Sequence, residues 1–174
     1  MVFLAAWRGF LEIKMGTNMT AFIEYDQEYA DRLFATRARQ VPFQDLKELP
    51  PPFAPNSNVV SLTTEEGLYT GGKDYTFFGA VSGVRNRIDL EPLFLPRGLP
   101  PVLSMHLKWA VIRDVFDGLS GVGWLTLEEI IAAFDHQAVN RDYLSNEALA
   151  IMDIMGALEK RFGLNRVRLI FGFD

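Results

Sequence analysis

The end of the chain constrains the fold most. Arg166–Phe173, RVRLIFGF, alternates charged and apolar side chains and then becomes apolar throughout. Such a run reads as a β-strand buried on both faces, which places it inside a sheet rather than at its edge. Near the start, TNMTAFIEYD is a second β-rich run and predicts a strand from about Met19 to Tyr25. Helical signals fill the space between. Strands at both ends with helices between predict an α+β fold: a small, mostly antiparallel sheet including the N- and C-terminal strands, packed against several helices on one face.

The helix signals are local and physical. Asp74 stands one residue before an apolar-periodic run and predicts a capped helix over Tyr75–Arg85, with Phe77, Val81 and Val84 on one face. Gly79 and Gly83 lie four apart on it, each costing about 1 kcal/mol of helix propensity, which points to close packing there. Ser104 caps MHLKWAVIRDVF, with Trp109, Ile112, Val115 and Phe116 expected inside. Thr126 and Glu129 form a capping-box signature ahead of LEEIIAAF. Ser145 caps the longest helix, to about Phe162, where Leu149, Met152, Met155, Leu158 and Phe162 recur near helical spacing and Gly163 provides the stop. A short helix is expected within Asp26–Arg39 and a short strand within Asn58–Thr64. The segment 41–58, with five prolines, reads as an extended surface loop, and DGLSGVG (117–123) as a flexible one.

Composition narrows the class. A chain of 174 residues with 49% hydrophobic and 22% charged residues buries a core as one domain. It has no Cys, which removes disulfides, thiolate metal sites and a cysteine nucleophile, and suits a reducing cytoplasm. A formal net charge of −5 argues against general nucleic-acid binding. MVFLAAWRGFLEI (1–13) is too short to span a bilayer, is broken by Trp7 and Arg8, and precedes no cleavage site, so neither a membrane anchor nor a signal peptide is expected.

Chemistry is sparse. No nucleophile elbow, P-loop or dinucleotide fingerprint occurs. GLYTGGK sets a glycine pair before Lys73, but Asp74 would repel a phosphate there. Glu65-Glu66 and Glu128-Glu129 read as solvated and capping carboxylates. His106 and His136 are far apart in sequence and read as structural or surface residues. The densest stretch is Gly71–Pro101, where Arg85, Arg87 and Arg97 surround a rigid Arg97-Gly98 turn between prolines. Pairing of these arginines with Asp89, Glu91 or Asp114 is the structural alternative to ligand binding.

In combination, five segments resemble an uncharacterised family of small bacteriophage and prophage proteins. Family members start MGCDIH, followed by a strand ending in Glu and an aromatic or aliphatic residue; here Met15-Gly16-Thr17-Asn18-Met19-Thr20 precedes AFIEY. The Y-x-L-F-x-x-L-A-x-V-R-N pattern matches Tyr75–Asn86, and P-R-G-L-P matches Pro96–Pro100. H-S-H-S-W-L-T-L-x-E-L corresponds to Ser120–Ile130, and V-R-I-V-F-x-F-D-N to Val167–Asp174. The resemblance implies that residues 1–14 are an upstream extension and 15–174 the single globular domain. It also implies a loss: where the family carries Cys, Asp, His and a His-x-His pair at metal-like spacing, this chain has Thr17, Asn18, Thr20, Ser120 and Val122. No metal and no cofactor are therefore expected.

The resemblance implies a phage-encoded counter-defence protein in the cytoplasm of a bacterial host. The leading expectation is a non-enzymatic binder that sequesters a nucleotide-derived immune signal. Arg85, Arg87 and Arg97 would hold phosphates, Tyr75, Phe94 and Trp124 would stack a base, and Asn86 with the Gly98 and Gly121 backbones would reach polar edges. Homo-oligomerisation through Gly79 and Gly83 is one way to build such a pocket. The alternatives are direct inhibition of a host defence protein, with an exposed apolar patch, and a metal-dependent nucleotide hydrolase.

Overall fold

Alternation in the two terminal runs becomes a sheet with two unlike faces. The computed structural model describes residues 18–27, 52–55, 57–63, 68–70, 74–84 and 91–174. Residues 1–14, expected to be an upstream extension, the helix predicted after Asp26 (from residue 28 onward), Lys73, and Arg85, Asn86 and Arg87 lie outside the described residues. Five strands pair antiparallel: β1 (Met19–Asp26), β2 (Val59–Ser61), β3 (Leu68–Thr70), β4 (Ser120–Thr126) and β5 (Val167–Phe173). The path is β2-β1-β5-β4, with β3 also on β1. β5 is internal and buried along its whole length, as its apolar run predicts.

One face carries the main core. Met19, Ala21 and Ile23 of β1, Val167, Leu169, Phe171 and Phe173 of β5 and Leu125 of β4 point the same way. Three helices cover them: α1 (Tyr75–Ser82), α3 (Leu127–His136) and α4 (Asn146–Phe162). Phe77 meets Phe134, and Phe78 meets Phe173 edge-on with centroids 5.1 Å apart. The predicted caps are present. Asp74 accepts from Phe77 N at 2.8 Å and, through its other oxygen, from Ser145 N at 2.6 Å. A single carboxylate thus ties the starts of α1 and α4 together.

Helices do not cover one face alone. α2 (Met105–Ile112) lies on the opposite face, where Leu107 and Ala110 pack on Phe22 and Ile170 in a smaller second core. Its inner side differs from the expected one: Trp109 and Ile112 are exposed, while Val115 and Phe116 border the second core. The cause lies at its start. Ser104 N donates to buried Glu24 at 2.7 Å, and its hydroxyl caps Leu107 N, which fixes the rotation of the helix.

Two glycine-rich segments also differ from expectation. α1 ends at Ser82, not Arg85, because Gly83 turns left-handed (φ 72°) and packs under Pro92. DGLSGVG is a turn only as far as Leu119, and Ser120–Gly123 begin β4 rather than continuing a loop. Gly121, at φ 60°, sits at a bulge between Ser120 and Gly123, where a Cβ would lie 2.8 Å from Val84. A residue type that signals loops here permits an irregular strand against crowded neighbours.

Candidate functional site

The second face of the sheet is where the chemistry gathers. On β1, Glu24 and Asp26 share a side with Phe22; on β5, Arg168 shares it with Ile170. The register sets Glu24 directly opposite Arg168. Arg168 Nε and Nη2 donate to Glu24 Oε2 at 3.0 and 2.6 Å, and Nη2 also donates to the Val102 carbonyl. Both side chains are buried. Burial pushes the Arg168 guanidinium below its ordinary range, and the attraction of Glu24 opposes that shift. One step along, Arg166 Nη1 donates to Asp26 at 2.9 Å, again with both partners buried.

This charge pair orders flat groups around it. Asp26 Oδ2 accepts from Phe53 N and Ser57 Oγ, both at 3.0 Å. Phe53 is held in the left-handed region (φ 56°), an uncommon state for a bulky residue. Its ring lies over the Arg168 guanidinium at 4.0 Å. Trp124 on β4 stands 5.8 Å from the same guanidinium, and Arg97 stacks on Trp124 at 3.9 Å. Ring, cation, ring and cation thus alternate from Phe53 to Arg97 across the sheet.

Arg97 is fixed on three counts. Nε and Nη2 donate to the Trp124 carbonyl, Nη2 pairs with Glu129 at 2.6 Å, and the plane rests on the indole. Gly98 N donates to the Val122 carbonyl at 3.0 Å, so the Arg97-Gly98 turn is pinned to β4. The Glu129 carboxylate serves two groups, since its Oε2 also accepts from Thr126 N in the predicted capping box, where Glu129 N donates to Thr126 Oγ1 in return.

Beside this stack runs a groove of about 320 Å³, lined by Pro52, Phe53, Trp124, Thr126, Glu128, Glu129 and Asn165. Two aromatic rings form walls and two carboxylates form the rim at the start of α3. That volume lies at the lower end of the small-ligand range. The carboxylates offset the positive end of the α3 dipole, so this helix start is poorly suited to a phosphate. What it can accept is a flat group whose edge donates hydrogen bonds.

Of the sequence-predicted site residues, Arg97, Gly98 and Trp124 come together. Arg97 pairs with Glu129 rather than with Glu91 or Asp114, and it supports Trp124 without lining the groove. Tyr75 is not with them: it begins α1 and meets Phe78 edge-on against the main core. Phe94 borders that core too, with the Arg97 guanidinium 5.9 Å from its ring. Gly121 is occupied by the β4 bulge. Arg85, Asn86 and Arg87 lie outside the described residues. Sequence reading missed Phe53, Glu24, Arg168 and Asn165. The visible signal was a charged residue at alternate positions inside each of two strands otherwise destined for burial.

Asn18, Thr20, Ser120 and Val122, which stand where the resembled family has metal-like ligands, gather at one end of the sheet around Phe173 and Asp174. There Asp174 accepts from Asn18 N at 2.8 Å, and Ser120 Oγ donates to the Phe173 carbonyl. Among the described residues no three His, Asp or Glu side chains form a metal-holding set. Comparison with protein-family models, curated proteins and solved structures finds no match.

Proposed function

We propose that this is a binding protein that sequesters a nucleotide-derived molecule, seating its base in the groove lined by Phe53 and Trp124 and returning it uncleaved. The observation that supports this most is the groove itself: two aromatic side chains, each set against a guanidinium, with two carboxylates in the lining. Amino groups on a base edge would donate to Glu128 and Glu129. Arg97 keeps Trp124 in place, and Arg85 and Arg87 stay the candidates for the phosphates. A binder fits better than a hydrolase because Glu129 Oε2 is committed to its cap and to Arg97, so Glu128 and Glu129 are not two free carboxylates at the helix start. Together with the resemblance to phage proteins, this reading makes the ligand a host immune signal and the protein a cytoplasmic counter-defence factor.

The test is direct. Protein purified from bacterial cells with and without induced nucleotide signalling is denatured, and the released small molecules are weighed by mass spectrometry. A stoichiometric, unaltered nucleotide is expected from the wild type. Trp124→Ala should lose it while Trp124→Phe, which keeps a stacking face, retains part. A chemically altered nucleotide would favour the hydrolase, and an empty protein across several signalling backgrounds would overturn the proposal.

A further inference from the structure

The polar groups in the groove are unevenly occupied. Its charged lining is carboxylate alone, with no Lys or Arg among the described residues that border it. Glu129 Oε2 already accepts from Thr126 N and from Arg97 Nη2. Glu128, the next residue back on α3, is exposed, and no hydrogen bond or ion pair to another described residue engages its carboxylate. Across the turn before β5, Asn165 holds a left-handed backbone (φ 59°) and is pinned by its N–H on Glu159 Oε1 at 3.2 Å. Its side-chain amide makes no bond to another described residue and has a donor to offer. The groove therefore combines two aromatic rings, one open carboxylate with two acceptor oxygens, and one open amide.

That set discriminates among bases. An ionised carboxylate only accepts, and it is best satisfied by two parallel donors. Of the four common bases, guanine alone places two donors side by side on its Watson–Crick edge, N1–H and the 2-amino group, with the O6 acceptor next to them. Adenine and cytosine each set a ring-nitrogen acceptor beside the amino group, which would turn a lone pair toward the second carboxylate oxygen. Uracil flanks its single edge N–H with two carbonyls, so both would face negative charge.

We propose that the groove selects guanine, with N1–H and the 2-amino group on the Glu128 carboxylate, O6 on the Asn165 amide, and the ring against Phe53 and Trp124. Glu128 is then the residue that sets specificity. This rests on the groove being the nucleotide site, and it adds which base that site takes.

The probes are guanosine, inosine, adenosine, cytidine and uridine 5′-monophosphates, titrated into the full chain by calorimetry. They share one phosphate, so differences among them report the base. The guanine nucleotide should bind about tenfold or more tightly than those of adenine, cytosine and uracil, the range expected for one bidentate contact. Inosine monophosphate, which keeps N1–H and lacks the 2-amino group, should fall several-fold below the guanine nucleotide. Glu128→Gln, at an exposed position, should cut guanine binding about tenfold with unchanged adenine binding and unfolding temperature. Adenine, cytosine or uracil nucleotides binding as tightly as guanine would overturn the inference and leave a nucleotide binder of other specificity. Inosine equal to guanine, or a Glu128→Gln variant with its guanine preference intact, would overturn it in the same way. Failure of all five to bind overturns it too; the sequestration reading falls with it only where the purified protein also releases no nucleotide.

Discussion

Arg168→Met should destabilise this protein more than any loss of apolar area would suggest. The substitution keeps the aliphatic bulk and removes only the guanidinium. Glu24, 0% exposed, would then hold its carboxylate against the Ser104 N–H with no counter-charge. Stranding one partner of a buried pair costs about 3–5 kcal/mol. The Val102 carbonyl loses its donor, worth about 1 kcal/mol, and the Phe53 ring loses a desolvated cation worth about 1–2 kcal/mol. These losses overlap, so a total of roughly 4–6 kcal/mol is expected, not their sum. Against a typical domain stability of about 5–15 kcal/mol the variant sits near the edge of folding. At about 2–4 °C per kcal/mol for a chain of this size, its Tm falls by at least about 8 °C. Urea and thermal unfolding followed by circular dichroism measure this. Glu24→Gln/Arg168→Met removes the stranded charge while keeping an acceptor for Ser104 N, and should recover most of the loss. A single Arg168→Met variant within about 2 °C of wild type would refute the reasoning, since it would mean water already reaches Glu24.

Gly121→Ala meets Val84 at 2.8 Å with φ at 60°, so strain and crowding together should cost about 2–4 kcal/mol, whereas Gly98→Ala, at φ 69° with nothing within 4 Å, should cost about 1–2 kcal/mol; equal losses in urea titration would refute the bulge assignment. Glu159 has its pKa raised above 4.5 by burial first and by Glu128 second, while the Asn165 N–H opposes the shift. The folded state therefore holds that proton more tightly than the unfolded chain, and stability falls as pH rises from 4.5 through the raised value. Glu159→Gln should remove that fall and stabilise the neutral-pH protein by only about 0.3 kcal/mol once solvent screening is allowed for; a steeper fall in the variant would contradict the assignment.

The parts of this fold legible in the sequence are those set by neighbours in the chain. Asp74, Ser104, Thr126 with Glu129, and Ser145 cap the helices that follow them because a side chain reaches its own backbone within three residues. β5 was readable as internal because its period demands burial on both faces. What escaped depends on distant partners. Which side of α2 turns inward follows from Ser104 meeting Glu24, 80 residues earlier. β4 looks like a loop until Phe171 and Phe173 are laid across its glycines. The same limit applies to the site. Arg97 and Trp124 stood out as residue types, but Phe53 lies in a proline-rich segment whose place is set by Asp26, and nothing local marks it.

The two faces of the sheet solve different problems. The main core is apolar along β1 and β5, whereas the second face buries Glu24, Asp26 and Arg168 in the same strands, with Arg166 just before β5. Well-packed apolar residues would stabilise a sheet as well as these ion pairs do, or better. The charges do something an apolar face cannot: they fix the azimuth of Phe53 and flank Trp124, and so set the width of the groove between them. Glu24→Gln/Arg168→Met therefore separates the two roles. If the charges serve the groove, the double variant regains its stability yet fails to retain the proposed ligand, because Phe53 has lost the cation beneath its ring. If it regains both, the ion pairs are architecture alone, and the groove's walls are held by the Asp26 contacts and by Arg97.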